Sequence, residues 1–316
     1  MRILVTGITG FAGGHLAEAL LAQGGHRLAG VGRRSVWPDS WRHLAPRIEL
    51  HACDVCARED MEKILHAVQP EWIFHLAGYP HVGRSFHEPE AAWQGNLTAT
   101  RSLYDAVTRW GGRPRFLYVG SGLVYGESTA NSDGCLETDL LLPDNPYAAS
   151  KAAADLVSYQ STRYPGLDIV RARPFNHIGP RQAPQFAVSS FARQLVAIER
   201  GRQAAILETG NLQPCRDLTD VRDVAAAYVL LMEQGRSGEA YNVGSGQKYA
   251  MQTVLERLIV LSGVAVEVRQ QANLLRATDA AIVRADAGKL RRETGWSPRF
   301  NLDQTLTDLL AYWREQ

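Results

Sequence analysis

The sequence predicts an α/β protein, a doubly wound parallel sheet with a smaller, interleaved C-terminal lobe. Three observations carry this reading. Strand-length apolar runs alternate with helically spaced apolar residues as far as residue 174. A glycine-rich turn joins the first run to the first helix. Beyond residue 174 short strands and helices follow in a different rhythm. Strands alternating with helices pair in parallel through right-handed crossovers, which places helices on both faces of one sheet.

The apolar run 3–6 is the first strand and ends in glycines. Residues 14–23 form a helix with Leu16, Ala17, Leu20 and Leu21 on one face. Residues 27–31 and 48–52 give the second and third strands. Met61, Ile64, Leu65 and Val68 recur at helical spacing over 58–68. Strands follow at 72–76, 115–119 and 168–172, separated by helices over 89–110 and 146–164. Pro146 suits the first position of the latter helix, where no N–H is needed. In the second half come a helix over 186–201, a strand at 204–207 and a polar loop at 213–221. A helix over 223–234, a strand at 240–243 and helices over 251–262 and 302–314 complete the chain. The pieces interleave. The expected division is a sheet domain over 1–173, rejoined by 217–243, and a lobe made of 174–216 and 244–316.

Composition excludes several classes. Of 316 residues, 34 are Lys or Arg and 33 are Asp or Glu, a net charge of +1 that gives no field for gripping nucleic acid or an acidic membrane. No apolar stretch approaches the ~20 residues that span a bilayer. The N-terminus runs straight into a strand without the layout of a secretion signal. Four cysteines in so long a chain are not a disulfide framework. Cys53 and Cys56 form a C-x-x-C pair, the spacing of redox and zinc sites. Cys135 and Cys215 stand alone, so no second pair completes a zinc site. A strand end followed by a turn accounts for the pair. We expect no metal and a cytoplasmic location.

The turn Thr6-Gly7-Ile8-Thr9-Gly10-Phe11-Ala12-Gly13 spaces its glycines as G-x-x-G-x-x-G. Between a strand and a helix, such glycines permit a tight turn, close backbone approach to a pyrophosphate and close helix–strand packing. The helix N-terminus offers its free N–H groups to the phosphates. These residues, Thr9 and Phe11 among them, predict a Rossmann-type dinucleotide site. The second strand ends in Gly32-Arg33-Arg34, without the acidic residue that would bond the free ribose 2′-hydroxyl of NAD. Arg33 and Arg34 can pair with a 2′-phosphate, so NADP(H) is favoured over NAD(H). Asp54 is placed to receive the adenine amino group. Leu76-Ala77-Gly78 is a small-residue stretch that lets a cofactor lie close.

Tyr147 and Lys151, four apart on a helix, share one face. An ammonium near a phenol favours the phenolate, which makes Tyr147 a usable acid or base near neutral pH. Ser121, just after the fifth strand, can share the hydrogen bonds of a substrate oxygen. The sequence thus brings a glycine turn, a serine after strand five and Y-x-x-x-K opening the next helix into one chain. In this combination it resembles the extended short-chain dehydrogenase/reductases, the group of nucleotide-sugar epimerases, dehydratases and reductases. The resemblance covers essentially the whole chain. It includes Asp54-Val55, His75-Leu76-Ala77-Gly78, Asn96, Ser121 with Val124-Tyr125-Gly126, and Tyr147 with Lys151. It continues through Arg173-Pro174-Phe175-Asn176-His177-Ile178-Gly179-Pro180, the run 216–223, Tyr241-Asn242-Val243-Gly244 and Gly295-Trp296-Ser297-Pro298.

Within that group the chain is most similar to the GDP-4-keto-6-deoxy-D-mannose reductases, in the runs 175–180 and 191–199 and in Gly210-Asn211-Leu212 followed by Arg216-Asp217. The resemblance implies NADPH-dependent reduction of the C4 ketone of a GDP-4-keto-6-deoxy hexose. The product would be GDP-D-rhamnose, or GDP-6-deoxy-D-talose if the opposite face is attacked. It implies Ser121, Tyr147 and Lys151 as catalytic residues, and Val55, Asn96 and Pro174 as further cofactor contacts. His81, Asn176, Arg181, Arg216, Arg276 and Asp279 would meet the GDP-sugar. It also implies a homodimer through the helices at 89–110 and 146–164. Related dehydratases carry a catalytic glutamate two residues after the position of Ser121; here Leu123 stands there and cannot move a proton. The rival readings are an NAD-dependent 4-epimerase and, behind it, a 4,6-dehydratase. A protein that only senses the dinucleotide would have no need of the tyrosine–lysine pair.

Overall fold

The computed structural model describes residues 1–126, 134–275 and 282–316. The chain runs from β1 (Arg2–Thr6) through the glycine turn to α1 (Phe11–Gln23), then β2 (Arg27–Gly32), β3 (Glu49–Ala52), α2 (Arg58–Val68) and β4 (Trp72–His75). Short α3 (Val82–Ser85) and α4 (Pro89–Trp93) follow, and α4 passes through a π-helical turn at Gln94–Thr98 into α5 (Ala99–Trp110). Next come β5 (Arg115–Val119), α6 (Pro146–Arg163) and β6 (Asp168–Pro174). The second half contains β7 (His177–Ile178), α7 (Ala187–Glu199), β8 (Ile206–Thr209), β9 (Cys215–Asp217), β10 (Thr219–Asp220) and α8 (Val221–Gln234). It closes with β11 (Ala240–Val243), β12 (Lys248–Ala250), α9 (Met251–Ser262), β13 (Glu267–Gln270), β14 (Ile282–Val283), α10 (Gly288–Thr294) and α11 (Leu302–Glu315).

Among the described residues seven strands form the central sheet, in the order β3-β2-β1-β4-β5-β6-β11. Every pairing in it is parallel. The strand order reverses between β1 and β4, which leaves a crevice beyond their carboxyl ends. Both faces of the sheet are covered. Ile3 and Val5 join an apolar cluster with Leu16 and Leu20 of α1 and Tyr228 and Leu231 of α8. Leu4, between them, joins Met61 of α2, Leu103 of α5 and Ala154 of α6 on the opposite face. This alternation along a strand buried on both sides is why the sequence reads as a continuous apolar run.

A third cluster unites α7, α9 and α11 through Phe191, Leu195, Leu255, Leu258, Leu306 and Leu309. Asp220 connects it to the sheet: it caps α8 by accepting from the Arg222 N–H at 2.8 Å and accepts from Thr305 Oγ1 of α11 at 2.8 Å. No helix among the described residues is long and apolar enough to cross a membrane.

The elements differ from the sequence reading in instructive places. The helix expected at 14–23 starts at Phe11, because Gly13 and Gly14 are helical despite their poor propensity. The helix expected over 89–110 is interrupted by the π-helical turn. The loop expected at 213–221 holds β9 and β10, whose polar residues pair with β12, β14 and β7. Strands of two or three residues leave too little pattern to be read from sequence.

One buried ion cluster locks β6 to α6. Asp155 accepts from Arg171 Nη1, and also from Arg173 Nε at 3.1 Å and Arg173 Nη2 at 2.9 Å. Its side chain is 0% exposed. Asp155→Asn is expected to cost about 3–5 kcal/mol, since it strands two buried guanidinium groups. Urea unfolding should show the lower midpoint at an unchanged slope; a loss below about 1 kcal/mol would show that the arginines find other partners.

Candidate active site

The crevice is held open by short polar chains at the strand ends. Thr6 Oγ1 lies 2.8 Å from His75 Nδ1 and accepts from the Ala77 N–H at 3.2 Å. His75 Nε2 lies 3.1 Å from Thr100 Oγ1. Burial, helped by the Lys151 charge, holds the His75 pKa down to about 3, so the imidazole stays neutral. It is a structural group joining β1, β4 and α5.

The glycine turn lies against the segment after β4. Gly7 has φ +72°, and a Cβ there would sit 2.8 Å from Ala77 N. A Cβ on Gly13 would sit 2.3 Å from Gly7 O. Only glycine fits either position. Gly10 caps α1 with no side-chain acceptor, which leaves the first-turn N–H groups open to an anion.

A cleft of about 1040 Å³ runs across this crevice. Gly7, Thr9, Gly10, Phe11 and Gly13 border its middle. Arg33, Asp54 and Val55 border one end, beyond β2 and β3. Arg34 is exposed and lies outside the lining. Cys53 and Cys56 form part of the wall; burial, aided by the Asp54 carboxylate, raises both thiols to about 11, so neither is a reactive thiolate. Leu76, Ala77, Gly78 and Pro174 border the floor. The glycine cradle, open amides and a guanidinium at the β2 end together fit an extended dinucleotide.

Asn96 is placed differently. It is buried in the π-helical turn and is not part of the lining. Its Oδ1 accepts from the Tyr79 N–H at 2.9 Å, and its Nδ2 donates to Ser150 Oγ at 2.9 Å. It therefore ties the segment after β4 to α6. The extra residue of the π-helical turn sets that position.

Tyr147, Ser121 and Lys151 come together at the other end of the cleft. Asn145 caps α6, accepting from the Ala148 N–H at 2.9 Å, with Pro146 next. Tyr147 is thereby fixed in the first turn. Ser121 Oγ accepts from the Leu123 N–H at 3.2 Å, and the Ser121 hydroxyl is close enough to the Tyr147 phenol to favour its ionised form. Lys151 Nζ donates to Val119 O at 3.0 Å. The sequence suggested that Lys151 would lower the tyrosine pKa. Here the buried environment dominates: it raises the Tyr147 pKa, and only the nearby Ser121 hydroxyl opposes it. The same burial holds Lys151 down to about 8.

His81 also borders the cleft, stacked on Phe186 at 5.9 Å between ring centroids. Asn176 and Arg216 also border the cleft. Arg216 follows Cys215 and precedes Asp217, whose carboxylate accepts from the N–H groups of Ser245, Gly246 and Ala285. Arg181 is not brought into the cleft. It donates to both oxygens of Glu18 at 3.0 and 3.1 Å and lies over Trp41. Arg276 and Asp279 lie outside the described residues. Sequence reasoning missed Tyr79, Glu88, Gln182, Phe186 and Tyr228 as lining residues. Most come from loops or short elements without periodic signal; Tyr228 is a buried residue in the middle of α8 and belongs to no motif.

The Lys151 shift has a measurable sign. Between pH 8 and 10.5 the unfolded chain binds this proton and the folded chain does not, so stability rises with pH across that window. Lys151→Met is expected to be more stable than the parent near pH 7, by up to about 3 kcal/mol, with the gap closing by about pH 10.5. Denaturant unfolding at both pH values checks this; a gap that does not change with pH would refute it.

Comparison with known proteins places this geometry. The family model described as GDP-mannose 4,6 dehydratase matches residues 4–309. GDP-6-deoxy-D-mannose reductase of Pseudomonas aeruginosa is 34% identical, over 100% of this chain and 98% of its own. The solved structure of RMD from Pseudomonas aeruginosa complexed with NADPH has a TM-score of 0.85 at 32% identity, covering 100% of both chains. UDP-glucose 4-epimerase of Thermotoga maritima, solved with UDP-glucose, has a TM-score of 0.89 at 27% identity, covering 100% of this chain and 99% of its own. With a family model spanning nearly the whole chain and a 34% identical relative of matching length, the chain belongs to the GDP-mannose 4,6 dehydratase family of the extended short-chain dehydrogenase/reductases.

Proposed function

We propose that the protein is an NADPH-dependent reductase of the C4 ketone of GDP-4-keto-6-deoxy-D-mannose. The product is GDP-D-rhamnose, or its C4 epimer GDP-6-deoxy-D-talose. One observation carries the reading: Ser121, Tyr147 and Lys151 border one cleft with Leu123, and the glycine turn and Arg33 border the same cleft. The names of the Pseudomonas aeruginosa relative and of the NADPH-bound structure support it.

The glycine turn and the α1 N-terminus hold the pyrophosphate, and Arg33 pairs with the 2′-phosphate. Bound there, NADPH supplies a hydride for the ketone carbon. Ser121 donates a hydrogen bond to the ketone oxygen and orients it. Tyr147 gives its proton to the same oxygen as negative charge develops. Its raised pKa keeps it protonated and ready to donate. Lys151 holds the nicotinamide ribose, and its positive charge stabilises the phenolate left after transfer. Leu123 offers no group for removing a proton from C5, which disfavours water elimination. Arg216 and Asn176, with Arg276 and Asp279, are the groups we assign to the nucleotide diphosphate and sugar. The lobe 174–216 and 244–316 carries all four, and residues 1–173 with 217–243 hold the cofactor. The separate apolar core of α7, α9 and α11 supports that division.

A homodimer through the helices near 89–110 and 146–164 fits the exposed Leu156, 59% accessible, and Tyr159 on α6. The cysteines form no disulfide among the described residues, in keeping with a reducing cytoplasm. A 4-epimerase remains the second reading, favoured by the likeness to the Thermotoga maritima enzyme. Net NADPH oxidation in stoichiometry with the ketosugar separates the two, because an epimerase returns its hydride.

Tyr147→Phe should lower kcat by about 10²–10⁴-fold while NADPH still binds. A rate unchanged in that variant would overturn the mechanism. Arg33→Ala should weaken NADPH by about 10–100-fold and leave NADH nearly untouched, the effect of losing one charge-assisted contact. Equal loss for both cofactors would show that Arg33 does not read the phosphate.

A further inference from the structure

Tyr228 is 0% exposed, in the middle of α8. Its ring packs in the cluster with Leu117 of β5 and Val170 and Ala172 of β6. Its hydroxyl oxygen is buried and has no hydrogen-bond partner among the described residues. Such a group costs stability unless something bonds to it, and phenylalanine would fill the same space without that cost. Yet Tyr228 also borders the cleft, together with Val119, Gly120 and Pro174 at the ends of β5 and β6.

Its position selects a ligand. Helix α8 packs on the same face of the sheet as α1, whereas α6 with Tyr147 covers the other face. Tyr228 and Tyr147 therefore approach the cleft from opposite faces of the sheet. The sugar-side residues His81, Phe186 and Arg216 come from elements outside the central sheet. A ring that reacts beside Tyr147 while resting on the β5 and β6 ends is the nicotinamide. Its polar substituent is a carboxamide, with one acceptor and two donors.

We propose that Tyr228 is a cofactor-positioning residue, its hydroxyl hydrogen-bonding the nicotinamide carboxamide and so fixing the rotation of the ring. This rests on the NADPH reading above. It assigns the control of ring orientation partly to α8, outside the Ser121–Tyr147–Lys151 set. Holding the carboxamide in one place determines which face of the ring is presented to the sugar.

The test is Tyr228→Phe, which removes one oxygen. Dissociation constants are measured for NADPH, NADH and 2′,5′-ADP, which lacks the nicotinamide, by quenching of tryptophan fluorescence. The parent and variant are also melted without ligand. The expected result is NADPH and NADH each weakened by about 5–10-fold, the worth of one neutral hydrogen bond. Binding of 2′,5′-ADP should stay within twofold, and the ligand-free melting temperature should be unchanged or higher. Unchanged dinucleotide binding would overturn the proposal. So would equal weakening of 2′,5′-ADP, which would mark a merely structural role. A parent that prefers NADH would overturn the NADPH reading alone, because the carboxamide effect would persist with NADH.

Discussion

The close approach of two backbones at the reversal of the sheet governs much of the rest. The turn after β1 touches the segment after β4 so tightly that a single methylene at Gly7 would displace Ala77. Both segments belong to strands buried on two faces, so neither can retreat without opening a core. The contact brings the N-terminus of α1 and the ends of β4 and β5 to one cleft. Thr6, His75 and Thr100 then act as a polar brace across three elements. Because His75 stays neutral, the brace does not come and go with physiological pH.

The chemistry at the far end of the cleft depends on burial more than on pairing. Tyr147 and Lys151 both pay for their charged forms in low dielectric, in opposite directions. The phenol is kept as a proton donor and the ammonium is made easier to lose. Their one-turn spacing on α6 is therefore necessary but does not by itself set either proton affinity. The nearby Ser121 hydroxyl is the influence that works against burial at the tyrosine.

Much of this was legible in the sequence, for identifiable reasons. Strands β1, β2, β4, β5 and β6 follow the buried pattern, with β3 at the sheet edge the exception, and the glycines, Ser121, Tyr147 and Lys151 sit at fixed points relative to strand ends. What escaped was set by tertiary contact. Phe11 starts α1 because two glycines tolerate the close packing that helix propensity argues against. Short strands β9 and β10 owe their existence to partners far along the chain. Arg181 was expected to meet the GDP-sugar, but its Nη1 donates to both carboxylate oxygens of Glu18 on α1. Asn96 looked like a cofactor contact and is instead a tether between α6 and the crevice wall. The lining residues on loops carry no period to read.

The π-helical turn at Gln94–Thr98 has a further implication for how this chain can vary. One surplus residue in an otherwise regular helix is locally unfavourable, and deleting it would restore ideal winding. Deletion would also rotate Asn96 by about 100° relative to α6 and break both of its bonds. The helix is thus kept imperfect by its neighbours. A change of length at this point gains local regularity and loses the link between the helix that bears Tyr147 and the wall that faces it, so length is constrained there more tightly than residue identity.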